Sequence, residues 1–199
     1  MSEFRKKFAK EYLVEIKRTL DSIEGDLIDK IDKIASILIS ARENKNTIFI
    51  MGNGGSAATA SHFALDLSKT TIVQGFPRFK VVALTDSIPC MLAWANDVGY
   101  EKIFVEQLKN LMEPGDVVIG ISGSGNSLNV IKAIEYANSQ GGITIGLCGF
   151  DGGGLFKVAQ ENILVPCAHI QGVEDIHMLI EHLLTFLLRE EQKQKLGGT

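Results

Sequence analysis

Residues 48–51 form an apolar run, IFIM, that stops at Gly52. Asn53, Gly54, Gly55 and Ser56 follow, and an alanine-rich helical pattern begins at once. That order describes a strand, a tight turn and a helix N-terminus, whose unpaired N–H groups make a ready anion site. The same grammar returns at residues 117–128, VVIGISGSGNSL. Three further short apolar runs, at 80–84, 142–147 and 162–166, are rich in Val, Ile or Leu and bounded by Gly, Pro, Asp or Asn. Nearly continuous apolar runs suit strands covered on both faces, hence a parallel sheet. With strands at 47–51 and 116–122 completing the set, helices are expected at 56–69, 88–97, 100–111, 127–139, 154–160 and 173–192. Such alternation predicts a doubly wound α/β sheet of five parallel strands, its ligands beyond the C-terminal strand ends.

Ahead of this core, Phe4, Phe8, Tyr12, Leu13, Ile16 and Leu20 recur at three- and four-residue spacing. Gly25 interrupts, and Leu27, Ile31, Ile34, Ala35 and Leu38 resume the pattern. The expectation is two amphipathic helices in an arm over 1–45, joined to an α/β core over 46–192, all within one domain of 199 residues. Long amphipathic helices before an α/β core suit packing against another subunit. The polar tail, 193–199, is expected to fray.

Composition removes whole classes of function. A formal net charge of −4 argues against nucleic acid as the main partner, and the basic cluster Arg5, Lys6, Lys7 and Lys10 reads as a solvated helix face. No apolar run has the length of a membrane helix, and the charged N-terminus lacks a secretory pattern. Cys90, Cys148 and Cys167 have no metal or disulfide spacing and read as reduced thiols, so the expected setting is the cytoplasm.

Glycines 123 and 125 let the second loop turn sharply, with amides directed into one concavity. Ser122, Ser124 and Ser127 add hydroxyls, and Ser127 stands at a helix N-cap. A phosphate is the ligand such donors suit. Neither loop is a Walker element, and neither has dinucleotide-fingerprint spacing, so no nucleotide cofactor is expected.

The segments GNGGS (52–56), His62 with Phe63 and Ala64, ANDVGY (95–100), GISGSGNSLNVIKA (120–133), GFDGG (149–153), and Asp175, His177 and His182 stand in one order. Together they resemble the SIS-domain sugar isomerases, most closely the phosphoheptose (sedoheptulose 7-phosphate) isomerases, over nearly the whole chain. The resemblance implies a three-layer α/β fold, a homotetramer with active sites built between subunits, and a phosphorylated sugar as ligand. It places Asn53, Gly54, Gly55 and Ser56 at the sugar, with Asn96 and Asp97 nearby, and Ser122, Gly123, Ser124 and Ser127 at the phosphate. It also implies that His62, Asp66, Glu174 and His182 stand where the family can bind zinc, Glu174 lining the substrate site as well. Asp66 and His182 would be the acid/base pair of an aldose–ketose isomerisation through an enediol.

Departures from the family concentrate on the sugar side. Its catalytic glutamate is Asp66 here, its glutamine is Glu174, an expected aspartate falls at Gln171 and an expected arginine at Thr70. Glu174 reads two ways: beside a cation it strengthens the site, and without one it repels Asp66. These changes keep two rivals in view, a non-catalytic SIS module acting through sugar-phosphate or protein binding (as in relatives that assist replication initiation) and an isomerase of another sugar phosphate. Asp86 reads as a helix N-cap and Trp94 as helix packing.

Overall fold

The structure is a computed structural model that describes residues 2–197. Five strands, β1 (Thr47–Gly52), β2 (Lys80–Ala83), β3 (Val117–Ser122), β4 (Ile143–Gly149) and β5 (Glu161–Val165), pair in parallel in the order β2-β1-β3-β4-β5. After β1 the chain moves outward to β2, then crosses back to place β3 on the other side of β1. That reversal opens a crevice between β1 and β3, and their ends are level, Gly52 pairing with Ile121. All five strands stand within two residues of their expected bounds.

Alternation along the strands builds a core on each face. Ile48, Ile50, Val117, Ile119 and Ile121 pack on one side with helices α1 (Glu3–Glu43), α2 (Gly55–Leu65) and α7 (Ile170–Lys195). Phe49, Met51, Val118 and Cys148 face the other, covered by α3 (Ile88–Val98), α4 (Val105–Leu111), α5 (Leu128–Ser139) and α6 (Gly153–Val158). Each wholly buried large apolar side chain contributes about 1.5–3 kcal/mol. Trp94 packs on this second core, as its helical setting suggests. Helix α5 comes close because Gly120 lies beneath it; a Cβ there would stand 2.7 Å from Val130 Cγ1.

At the opposite end of the sheet one buried carboxylate ties the strands together. Asp116 accepts hydrogen bonds from the Thr47 N–H at 2.7 Å and the Glu113 N–H at 2.9 Å, and its carbonyl accepts the Ile143 N–H at 2.9 Å. The starts of β1, β3 and β4 therefore share one anchor.

Several boundaries differ from expectation. The arm is one continuous helix, α1, about 60 Å long at 1.5 Å per residue. Gly25 does not break it: it is exposed, with nothing near its missing side chain, and costs only about 1 kcal/mol against alanine. Burial of Leu27, Ile31, Ile34, Ala35 and Leu38 outweighs that cost. The expected 56–69 helix is α-helical only to Leu65 and continues as a π turn, Asp66–Thr70. The expected 100–111 helix divides into a 3₁₀ turn, Tyr100–Lys102, and α4. Ser87, not Asp86, is the N-cap of α3, while Asp86 accepts the Ser61 hydroxyl. Helix α7 runs through Lys193–Lys195, so that part of the tail does not fray; Gly198 and Thr199 lie outside the described residues.

His169 caps α7, its Nδ1 accepting the Gly172 N–H at 3.0 Å. Glu15 of α1 lies 3.4 Å from His169 Nε2 and accepts the Ala168 N–H, and the Tyr12 hydroxyl donates to Asp175. The middle of α1 is thus fastened to the start of α7. Among the described residues no helix is long and apolar enough to cross a membrane.

Candidate active site

Two uncapped helix N-termini meet at the crevice. Helix α2 begins after Gly54, whose φ of 55° belongs to glycine, and no side chain caps it. Helix α5 begins after Ser127, which is its N-cap as expected, yet its hydroxyl makes no cap bond and accepts instead from the Ser122 hydroxyl at 3.0 Å. First-turn N–H groups and the positive ends of both dipoles are left for an anion. The loop between β3 and α5 is braced from behind. Gly125, at φ 66°, accepts the Leu155 N–H at 2.8 Å through its carbonyl, and Asn126 Oδ1 accepts the Gly154 N–H at 3.0 Å. Gly123 abuts Ile170 at the start of α7. Ser124 is exposed, and its Oγ accepts the Asn126 N–H. No lysine or arginine lies in either loop.

Asn53 is held across the crevice by a reciprocal amide pair. Its Nδ2 donates to Asn129 Oδ1 and its Oδ1 accepts from Asn129 Nδ2, both at 2.9 Å. The Tyr100 hydroxyl donates to the same Oδ1 at 2.8 Å. With Oδ1 doubly engaged, the second N–H of the Asn53 amide is left for a ligand.

Deeper along α2 and α7 lies a cluster of four titratable groups. His62 Nε2 stands 3.8 Å from Asp66 Oδ2, 3.4 Å from His182 Nε2 and 3.9 Å from Glu181 Oε1. His182 Nε2 is 3.4 Å from the same Glu181 oxygen. The imidazole rings meet edge to face, 4.9 Å between centroids. Asp66 opens the π turn, and Thr70, where the resemblance expects arginine, donates to Asp66 Oδ1 at 2.8 Å. Single π turns of this kind recur at functional sites. Glu181 is fully buried and neither oxygen has a hydrogen-bond partner. Burial first, and the Asp66 charge second, push its carboxyl up to about 8.

The expected site residues therefore separate into groups. His62, Asp66 and His182 converge. Asn53, Gly54, Gly55 and Ser56 line the first loop, and Ser122, Gly123, Ser124 and Ser127 the second. Glu174 joins neither the histidines nor Asp66: its carboxylate lies against Gly55, where an added Cβ would meet Oε1 at 2.3 Å. Asn96 and Asp97 are exposed on α3 and bond to each other at 2.9 Å, linked to the crevice through nearby Tyr100.

Glu181, Tyr100 and Asn129 had escaped the sequence reading. For Glu181 a signal existed. It stands in the buried stripe Val173, Ile176, His177, Ile180, Glu181, Leu184, Thr185 and Leu188, where a charge is anomalous. Asn129 and Tyr100 gave none, because their pairing with Asn53 spans 76 and 47 residues.

A doubly wound sheet with two glycine–serine loops at its reversal defines a class, and a SIS-domain family model matches residues 11–149. The chain belongs to the SIS-domain family. Within it, the chain stands among the phosphoheptose isomerases. It is 36% identical over 184 residues to the phosphoheptose isomerase of Aliarcobacter butzleri, covering 92% of this chain and 95% of the relative. To that of Geotalea daltonii it is 39% identical over 176 residues, covering 87% and 90%. The solved phosphoheptose isomerase of Neisseria gonorrhoeae superposes with a TM-score of 0.86 at 29% identity, over 93% of this chain and 98% of that one.

Proposed function

We propose that this isomerase interconverts sedoheptulose 7-phosphate and D-glycero-D-manno-heptose 7-phosphate. The carrying observation is that a phosphate cradle without lysine or arginine, between β3 and α5, abuts the start of α7, and that α7 and α2 together carry the carboxylate–imidazole cluster. The chain's relatives of that name supply the substrate class.

In this reading the amides and hydroxyls of the loop from Ser122 to Ser127 hold the phosphate. Asn53 presents its free N–H to the sugar hydroxyls, with Gly54, Gly55 and Ser56 lining the approach and Asn96 and Asp97 at its rim. Asp66 removes the proton from the carbon beside the carbonyl, and the electron pair becomes the C=C bond of an enediol. His182 moves a proton between the two oxygens. Asp66 then returns its proton to the neighbouring carbon, so aldose and ketose differ only in where the hydrogens lie. Thr70 fixes the orientation of the carboxylate through Oδ1.

Zinc fits the residues present. Two imidazoles and Asp66 offer suitable donors, and the buried Glu181 carboxyl beside them has no hydrogen-bond partner on either oxygen. His62, Asp66 and His182 would hold the ion. When bound, it would polarise the substrate oxygens and stabilise negative charge on them.

We read the chain as one domain that works as a homotetramer in the cytoplasm. An apolar cavity of about 510 Å³ between α1 and α7, lined by Leu20, Leu27, Ile28, Leu179 and Leu183, supports subunit packing. Exposed Phe4, Phe8 and Leu13 on the same helix add to that support. The cysteines, all free, agree with a reducing compartment.

Replacing Asp66 by Asn tests the assignment. Turnover should fall to background while heptose 7-phosphate still raises the thermal midpoint; full activity in D66N would refute the role of Asp66.

A further inference from the structure

Glu174 is the residue that the family pattern offers as a carboxylate partner for His62, Asp66 and His182, yet the fold holds it elsewhere. It precedes Glu181 by seven residues, two turns and about 10 Å along α7. There it faces Gly55 at the N-terminus of α2. Its charge already has a counterpart in the positive end of that helix dipole.

Glu181 has no helix end beside it; among the described residues only the His182 and His62 imidazoles approach one of its oxygens, at 3.4 and 3.9 Å. It is fully buried, and neither of its oxygens has a hydrogen-bond partner. A buried carboxylate is tolerated in its charged form only where a cation or hydrogen-bond donors join it. The surrounding atoms are arranged to receive one. One donor atom from each of His62, Asp66, Glu181 and His182 lies within 4.8 Å of all the others. Four of those separations are 3.4, 3.4, 3.8 and 3.9 Å. A tetrahedral zinc with bonds near 2.0–2.1 Å sets its ligands about 3.3–3.4 Å apart, so these four separations need about half an ångström or less, and Asp66 must also close on His182 and Glu181 by about 1 Å. Two neutral imidazoles and two carboxylates would also neutralise a divalent ion without residual charge.

We infer that the fourth ligand of the divalent-cation site in this chain is Glu181, and that Glu174 is not a ligand. The inference rests on the metal reading above. It moves the site down α7 and leaves Glu174 at the mouth of the substrate crevice, beside Gly55.

Cobalt(II) and zinc(II) titrations of the full chain, stripped of metal, test it. Cobalt(II) reports through the visible bands of tetrahedral coordination, and zinc through metal content and thermal midpoint. Wild type should bind one ion per chain, and H62A should not. E181Q should lose about 100-fold or more in cobalt affinity, together with the tetrahedral bands, whereas E174Q stays within a few-fold of wild type. E181D, which keeps the charge but withdraws it by one methylene, should also bind more weakly and serves if E181Q does not fold. Loss in E174Q with retention in E181Q would overturn the assignment and keep the metal reading. Failure of wild type to bind either ion stoichiometrically would remove the metal reading, and this inference with it.

Discussion

Gly125→Ala puts the phosphate loop to its most direct test. A Cβ on Gly125 would lie 2.0 Å from the carbonyl oxygen of Gly152, 2.4 Å from its carbon and 2.9 Å from the nitrogen of Gly153. All three are backbone atoms of one peptide, so no side chain can swing away. Restoring ordinary contact means parting the two loops by about 1 Å or more. Two hydrogen bonds then fail, Leu155 N–H to the Gly125 carbonyl and Gly154 N–H to Asn126 Oδ1, each worth about 1 kcal/mol. The positive φ of 66° adds about 1–2 kcal/mol of strain for any residue with a Cβ. Together these should lower stability by roughly 3–4 kcal/mol, read as a shift in the urea midpoint at unchanged slope. The loop that presents Ser122, Ser124 and Ser127 would be displaced, so KM for the sugar phosphate should rise at least tenfold. A loss below about 1 kcal/mol with KM unchanged would show that the bracing of this loop has been misjudged.

Two other perturbations read different parts of the molecule. Gly25→Ala in α1 meets open space in a helical backbone and should stabilise by about 0.5–1 kcal/mol in urea unfolding, whereas destabilisation would mean that the helix needs its glycine. His177 is buried with its Nε2 on the Cys148 carbonyl, and burial lowers its pKa to about 4. Because the unfolded imidazole binds its proton first, the stability His177 contributes is complete above about pH 6.5 and is lost as pH falls toward 4, by up to about 3 kcal/mol. His177→Met should flatten that part of the stability–pH profile; equal slopes in variant and wild type would contradict the assigned burial.

Local pattern carried the sheet. Strands 47–51 and 116–122 were legible because each carries a nearly continuous apolar run, 48–51 and 117–121, closed by Gly52 or Ser122, and the parallel order followed from the intervening helices. The two glycine–serine loops were legible for the same reason: turn chemistry is local. Gly25 misled because a single glycine carries only about 1 kcal/mol of local preference, less than the burial won by the residues after it. The π turn at Asp66 left no mark on the periodicity, since it shifts the phase only where the helix ends. His62 and Asp66 sit four apart, and one helical face explains their meeting. The choice between Glu174 and Glu181 was invisible to resemblance, because both lie on nearly the same face of α7. Distance along that helix, set by how α7 slides against α2, decides which one reaches the histidines. That offset is a property of tertiary packing.

The Asp116 anchor has a consequence for how such a chain can change over time. By fastening the starts of β1, β3 and β4, it commits the architecture at the end of the sheet remote from every residue discussed as functional. The crevice end is correspondingly free to vary in chemistry without renegotiating the fold. Asp66, Thr70, Gln171 and Glu174, the positions at which the resemblance expects other residues, all belong to that freer end or to the helices leading from it. A substitution at Asp116 would threaten three strands at once, whereas one at the crevice end touches only the loops and helices there.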